Sequence, residues 1–561
     1  METNSIPQAI QRQAARALIA RGLDPQYYFP FLSGDAQELA RGSLEATYLD
    51  SRSLHQRRTW GQYHTPPWLV AILLNWLEWP SGDALLDPAC GTGAFLVPAA
   101  RRLADACLAR GWGVEETLRC VEGSLVGYDV DPLALFISSL NLHVALADLL
   151  KKSQSRPGWR LHVADFLTLE TGLEHHGVIV GNPPWGVKVS SGTQKTFREP
   201  GESAFMFLEA ALDLLSPGQS CALVLPDTIL LKHYPAIRRM VLSRTRILNL
   251  ALLGKVFPGA NVEAVALHLV GSEGVGAHSV RIWQKARHGL EKRAPVEQRV
   301  FGSLPDYRFN VLMSKRGLEM SRRLRQGKVP LASSYRVHEG IHSGNVRRKL
   351  FVRDCPGEKG RRLLLRGSEL QPFQCNWNRH YVNYDPSLIQ RAQGEYASLG
   401  RSGELASPKV LVRRTGEKLT AAFDEQGLFI SNNFFYCLPR SNQSLSPKVL
   451  VCLLNSALLR GLYHLENPVM GRMFAELKIM HLSALPVPDI ECERLKVVEP
   501  RLTALHDEMV KTGFRGLPRE EMEELVMYLY AVAAGDYSAL QEHLGELKMQ
   551  QPPAGVRRGR K

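Results

Sequence analysis

No Cys-x-x-Cys pair occurs in this sequence, and none of its nine cysteines, at 90, 107, 120, 221, 355, 375, 437, 452 and 492, has a zinc-type spacing with histidine. That excludes a zinc ribbon and a disulfide framework, and predicts the reduced thiols of a cytoplasmic protein with no metal. No uninterrupted apolar run approaches the 18 residues that a membrane helix needs. Ile6–Gly22 is amphipathic rather than a signal core, so no membrane is expected either. An acidic surplus is also missing: 69 Lys plus Arg face 55 Asp plus Glu, a net charge of +14 with a pI near 9.4. Such a balance favours a polyanionic partner, nucleic acid first. There is no internal repeat. A chain of 561 residues exceeds one core and suits two or three domains.

What is present is organised around Val178-Ile179-Val180-Gly181-Asn182-Pro183-Pro184-Trp185. An apolar run that stops at Asn-Pro-Pro-aromatic reads as a buried strand delivering an amide and a ring into a cleft. The two prolines fix φ and bar the strand from continuing, so the Asn182 side chain and the carbonyls of Asn182 and Pro183 are held at the strand's carboxyl end. In open α/β sheets ligands bind there. An Asn carbonyl beside a backbone carbonyl can accept both hydrogens of a planar exocyclic amine, with Trp185 against the ring that bears it. The chemistry implied is alkylation of a conjugated NH2. Taken alone, the same tetrapeptide is compatible with an Asn-Pro turn and a core Trp.

Residues 1–58 read as helices capping the first domain. In Gly61-Gln62-Tyr63-His64-Thr65-Pro66-Pro67, Thr65 is expected to N-cap a helix that opens on the prolines. Leu85-Leu86-Asp87-Pro88-Ala89-Cys90-Gly91-Thr92-Gly93-Ala94-Phe95-Leu96 reads as a strand, a tight glycine turn and a helix running to about Arg110. Gly91 and Gly93 permit positive φ and close backbone approach to a ligand at the helix start. A dinucleotide loop would carry a third glycine where Leu96 stands, which shifts the expectation to another adenosine cofactor. Two further strands end in acids, Leu125–Asp129 and Leu161–Asp165. Asp129 suits ribose hydroxyls, and Asp165 an adenine amino group with Phe166 beside the ring.

After the Asn-Pro-Pro-Trp strand come a polar loop (Lys188–Gly201), a helix from Ser203, a strand Ser220–Leu225 and a hairpin over Leu248–Leu253 and Val262–Val270. Phe257, between the hairpin strands, could stack on a base. Residues 286–330 read as a connecting segment with a basic helix, Lys315–Lys328. Residues 331–490 alternate strand-like runs with polar loops. Their clusters Arg347-Arg348-Lys349, Arg361-Arg362, Arg366 and Arg413-Arg414 interleave with Phe351, Phe373, Trp377, Tyr381 and Tyr384, favouring nucleic-acid contact. Helices return over 491–548, with Met522, Leu525, Val526 and Leu529 on one face. The basic tail 549–561 is expected to be disordered.

In this order the motifs resemble the gamma-class amino-methyltransferases that act on adenine N6 in DNA, the TaqI-like family of restriction-modification enzymes. The resemblance is detailed over about residues 60–270. It implies a Rossmann-like S-adenosylmethionine-dependent methyltransferase domain at 59–285, a mixed α/β target-recognition domain at 331–490 and closing helices. By that resemblance Tyr63, Thr65 and Pro66 lie at the methionine end of S-adenosylmethionine. The loop Asp87, Pro88, Ala89, Cys90, Gly91, Gly93 and Phe95 would hold the cofactor's amino-acid part, Asp129 its ribose, and Asp165 with Phe166 its adenine. Asn182, Pro183, Pro184 and Trp185 match the catalytic motif, with Trp in place of the commoner Tyr, and Phe257 matches the position that stacks on the extruded base. Arg347, Arg348, Arg366, Arg413 and Arg414 are the expected contacts to double-stranded DNA. His338-Glu339-Gly340-Ile341, Leu365–Leu370 and Leu454–Pro488 resemble the recognition domain more loosely.

Other NH2 methyltransferases, on protein glutamine or RNA guanine, share Asn-Pro-Pro-aromatic but generally lack the upstream Thr-Pro-Pro and the large downstream domain. A cytosine-C5 enzyme needs a Pro-Cys nucleophile, and the chain has no Pro-Cys dipeptide. A DNA-binding subunit with a decayed cofactor site is the alternative of another class; the intact set of motifs argues against it. Residues 1–58 leave no room for a nuclease domain, so any cleavage is expected from a separate restriction or defence subunit.

Overall fold

The computed structural model describes the chain apart from residues 1–5, 30–64, 81, 170–176, 188–201, 232–233, 258–261, 275–277, 288, 312, 314, 354–359, 417–418, 442–443, 468–476, 515, 534, 536 and 539–561. Tyr63, the polar loop after Val187 and the basic tail lie outside the described residues. Two compact units divide it, Met1–Val311 and Leu312–Lys561.

The first unit is built on one sheet. Its strands are Leu85–Asp87 (β1), Leu125–Asp129 (β2), Arg160–Val163 (β3), Val178–Gly181 (β4), Ser220–Pro226 (β5), Thr245–Gly254 (β6), Ala264–Gly271 (β7) and Ser279–Ala286 (β8). They run in the order β8-β6-β7-β5-β4-β1-β2-β3. Every neighbouring pair is parallel except those of β7, which lies antiparallel between β5 and β6. Apolar runs without alternation become central strands because helices cover both sheet faces; β1, β4 and β7 are buried along their whole length. Leu85 sits opposite Leu125 on one side and Val178 on the other. The strand order therefore reverses at β1, and the carboxyl ends of β1 and β4 form the switch-point crevice where such sheets bind ligands.

The N-terminal helix Gln8–Ile19 packs on the helix Pro132–Ala145, and Phe29 meets Phe136 and His143 edge-on at 5.4 and 5.1 Å. The segment after β8 is not the connector that the sequence suggests. Gly289–Lys292 and Val296–Glu297 pair with β8. Gln298 bonds the Ile247 N–H and the Thr245 carbonyl, each at 2.7 Å. The fully buried Arg238 donates to the Asp306 carbonyl at 2.8 and 3.0 Å. Val296, Val300, Phe301 and Phe309 are buried but irregularly spaced, so they leave no periodic signal.

In the second unit, Tyr335–Glu339, Phe434–Pro439, Lys409–Arg413 and Ala421–Asp424 form an antiparallel sheet in that order. A second sheet joins Phe351–Val352, Tyr381–Asn383, Gly360–Leu364 and Phe429–Ile430. Leu363, Leu364, Leu411, Phe429, Ile430 and Phe434 share one core. The basic helix begins as expected but ends at Arg325, and it belongs to this unit: Arg325 reaches both oxygens of the buried Glu466 at 2.7 and 2.6 Å, and Ser321 donates to the same carboxylate. The helices Glu493–Thr512 and Leu517–Leu529 close the unit, with Met522, Val526 and Leu529 fully buried. Among the described residues no single helix is long and apolar enough to cross a membrane. The apolar bent pair Pro447–Asn455 and Ala457–Glu466 is largely buried within this unit.

Candidate catalytic cleft

The carboxyl ends of four adjacent parallel strands, in the order β4-β1-β2-β3, line one edge of the sheet at and beside the switch point. Asp87 closes β1, Asp129 closes β2, Asp165 follows β3 and Asn182 follows β4. Asp87 is almost fully buried, and burial, reinforced by the neighbouring Asp129, pushes its carboxyl up to about 8 against the pull of the Ala89 N–H. Burial likewise raises Asp129 above the ordinary carboxylate range, although its oxygens accept from Gly91 N–H at 2.8 Å and Asp131 N–H at 2.9 Å. The Cys90 thiol is buried and pushed well above its usual value, first by burial and then by those two acids, which makes it an inert wall of the loop.

The glycine turn takes the conformation that its composition requires. Gly91 has φ +54° and nothing within 4 Å of where a Cβ would lie; Gly93 has φ +90°, and a Cβ there would meet Ser138 Oγ at 2.7 Å. One glycine thus opens the backbone to a ligand, and the other lets the turn press onto the helix Pro132–Ala145. Pro88 is buried and Ala89 half-buried between β1 and the turn, while Phe95 is buried and directly precedes the helix Leu96–Ala109. Gly181 allows another close approach, since a Cβ there would lie 3.0 Å from Asp87 Oδ1.

Thr65 does not cap the helix Pro67–Trp76. The residue before a proline is driven to extended backbone, so Pro66, with ψ 140°, becomes the cap, and its carbonyl accepts from Leu69 and Val70. The buried Thr65 hydroxyl instead accepts from Asn182 Nδ2 at 3.1 Å. That bond turns the amide's carbonyl oxygen away from Thr65, and the oxygen is buried. Beyond it, Ser203 Oγ donates to the Pro184 carbonyl at 2.6 Å and accepts from Val187 N–H, and Glu202 accepts from Gly186 N–H. The Asn-Pro-Pro-Trp turn is pinned at both ends.

Trp185 and Phe257, 8% and 4% exposed, are brought together as edge and face rather than as parallel plates, with centroids 5.2 Å apart and planes at 90°. Asp165 caps the turn Phe166–Thr168 by accepting from Leu167 N–H. Phe166 is buried against Tyr128 and parallel to Phe207. Apolar surface left at this end belongs to Val130, 59% exposed directly after Asp129, and to Val163, 58% exposed at the end of β3. Val130 carries no signal of its own although it adjoins an expected residue, Asp129; Ser203 carries no local signal either. Among the described residues no cluster of three or more His, Cys, Asp or Glu could hold a metal.

In the second unit the five expected arginines separate. Arg347, Arg348 and Arg366 are exposed, Arg347 lying over the Phe351 ring at 5.5 Å. Arg413 is half-buried and wedged against Gly367 and Gly416, where a Cβ would come within 3.2 and 2.8 Å of it. Arg414 pairs with Glu339, donates to the Asn432 carbonyl and lies over Phe435, so it is tied into its own domain.

Residues 48–272 match the N-6 DNA methylase family, and residues 362–487 match the TaqI-like C-terminal specificity domain. A Type II methyltransferase of Thermus thermophilus is 28% identical over 421 residues, 71% of this chain and 85% of its own. The Type II methyltransferase M.VspI of Vibrio sp. (strain 343) is 26% identical over 322 residues, 55% and 71% of the two chains. Among solved structures, the Type IIL restriction-modification enzyme MmeI in complex with DNA superposes with a TM-score of 0.54 at 13% identity, over 93% of this chain and 83% of that one, a likeness of fold.

Proposed function

We propose, for a chain that belongs to the N-6 DNA methylases and carries a TaqI-like C-terminal specificity domain, the site-specific transfer of a methyl group from S-adenosylmethionine to the N6 amine of adenine in DNA. The observation that carries this reading is the Asn182 amide, oriented by Thr65 at the end of β4 beside the acids that end β1 and β2.

The residues of the crevice suit the cofactor. Gly91 presents backbone to open space, Asp129 stands where ribose hydroxyls would be accepted, and Val130 offers an apolar face to adenine, with Asp165 and Phe166 nearby. A cationic ligand would favour the ionised forms of Asp87 and Asp129, which burial otherwise disfavours. Bound there, S-adenosylmethionine supplies an electrophilic methyl on a sulfonium. The Asn182 carbonyl and the Pro183 carbonyl hold the two hydrogens of the target amine, drawing its lone pair out of conjugation and fixing its direction. Most of the acceleration then comes from positioning and from charge stabilisation in a buried site. A base leaving its stack costs a few kcal/mol and needs ring surfaces to receive it. The perpendicular Trp185 and Phe257 make a corner, in which a base lying flat on one ring meets the other edge-on.

The specificity domain would read the flanking base pairs, since a cleft built for one extruded base cannot. The setting proposed is cytoplasmic restriction-modification, with a separate subunit supplying any cleavage. Single-molecule sequencing of DNA from cells expressing the chain tests the assignment: N6-methyladenine in one fixed sequence context is expected. Unmodified adenine throughout, with the protein folded and expressed, would overturn it.

A further inference from the structure

We infer that Tyr396 is a nucleotide-stacking platform of the second unit, receiving the flat face of a base or deoxyribose while Arg347 and Arg348 meet the adjoining phosphates. This rests on the proposal that the chain acts on DNA. Tyr396 is 59% exposed, and among the described aromatic residues within 362–487 it alone is exposed. A single exposed apolar residue is ordinary; what distinguishes this one is how firmly it is held. Asn345 Oδ1 accepts from the Tyr396 N–H at 2.9 Å, and Asn345 Nδ2 donates to the Gly394 carbonyl at 3.1 Å. His342 and Ser398 exchange both backbone bonds, at 2.9 and 2.8 Å. Lys349 pairs with Glu395 at 2.6 Å, and Glu395 also accepts from Gln390 N–H. Gly344, at φ +50°, completes the seat: a Cβ there would collide with the Tyr396 carbonyl oxygen and lie 2.7 Å from ring Cδ2. The ring thus rests against the Gly344 backbone and gives most of its surface to solvent.

Fixing a ring in advance removes part of the entropy cost of binding, and aromatic side chains lose little to begin with. No core packing or ion pair explains the exposed position. Arg347 and Arg348 sit between Asn345 and Lys349, the two side chains that clamp the loop, and both are exposed. Lys349 is neutralised by Glu395, whereas among the described residues no carboxylate pairs with either arginine. A rigid aromatic face on a loop tied to the Arg347–Leu350 turn, whose two arginines no described carboxylate pairs, matches the chemistry of a nucleotide, whose phosphate is anionic and whose base and sugar present flat apolar faces.

The test uses the full chain, wild type and the variants Tyr396→Ala and Tyr396→Phe, with fluorescence anisotropy at low salt on two probes: a 30-nucleotide oligo-dT strand and a 30-base-pair duplex. Alanine should weaken binding roughly five- to hundredfold, the range for removing one base–aromatic stack. Phenylalanine should bind as wild type. A loss confined to the single strand assigns the base as the stacking partner; a loss on both probes assigns the deoxyribose. Equal affinity of the alanine variant and the wild type on both probes overturns the platform, as does an alanine variant that loses its S-adenosylmethionine-induced thermal shift along with DNA binding. If the wild type binds cofactor but neither probe, it is the proposal of DNA as substrate that fails.

Discussion

Asn182 Nδ2 donates to Thr65 Oγ1 at 3.1 Å, across 117 residues of chain. The hydroxyl expected to cap a helix fixes the orientation of the Asn182 amide instead. On the proposed function Thr65 is a positioning residue, and Thr65→Val should lower the turnover of methyl transfer about two- to tenfold, as for one lost neutral hydrogen bond of about 0.5–1.5 kcal/mol. Thr65→Ser, which keeps the hydroxyl, should restore it. Turnover unchanged in the valine variant would remove Thr65 from that role.

Asp87 predicts the pH dependence of the first unit. Its folded value near 8 lies far above its unfolded one, so between about pH 4 and 8 the native state keeps a proton that the unfolded chain has lost. The stabilisation is fully present below the unfolded value and disappears as pH rises through about 8. Cofactor-free protein should therefore melt at progressively lower temperature across that window, by about 2–4 °C for each kcal/mol. Asp87→Asn should flatten the decline. Identical pH profiles in calorimetric scans of the two proteins would contradict the buried carboxyl.

Phe257 and Trp185 meet edge to face, so removing Phe257 should open the corner proposed to receive the base. Phe257→Ala is expected to weaken base capture by about 1–3 kcal/mol. Placing the target adenine in a mismatch, where extrusion costs less, should recover much of the lost activity. An equal loss on matched and mismatched DNA would reduce Phe257 to packing.

The arginines divide by their partners. Arg414→Ala leaves Glu339 without its counter-charge and should lower the melting temperature. Arg347→Ala and Arg348→Ala should leave stability within about 0.5 kcal/mol, as surface changes do, and flatten the salt dependence of DNA binding by about one unit each. Denaturation curves beside binding at two salt concentrations separate the two classes; a salt effect for Arg414 with no loss of stability would reverse the assignment.

The legible parts of this molecule are those whose cause is local. Apolar runs ending at Asp87, Asp129 and Asn182 mark strand ends because a buried strand must stop where a polar or proline-bound residue begins. Glycines 91 and 93 mark the turn because few other residues tolerate positive φ. What the sequence hid is long-range. Thr65 could bond a helix N–H or an amide far along the chain, and the proline rule that denied it the cap is visible only once the helix start is placed. Ser203 and Glu202 pin the Asn-Pro-Pro-Trp turn from the next helix, with no spacing that signals it. Arg414 looked like its neighbour Arg413 until the sheet brought Glu339 beside it. Residues 289–309 read as a linker because their buried side chains follow neither helical nor strand periodicity.

On the proposed function Asn182 holds the target amine, while the acids that end β1 and β2 and the glycine turn after β1 hold the methyl donor. The most direct measurement compares wild type and Asn182→Ala for transfer of labelled methyl from S-adenosylmethionine to genomic DNA, with digestion to nucleosides and with cofactor affinity measured by calorimetry on the same preparations. Wild type should yield labelled N6-methyladenine, whereas the variant should yield none while binding cofactor with little change. Label in the variant's adenine at the wild-type rate, or in another base of the wild type, would contradict the account.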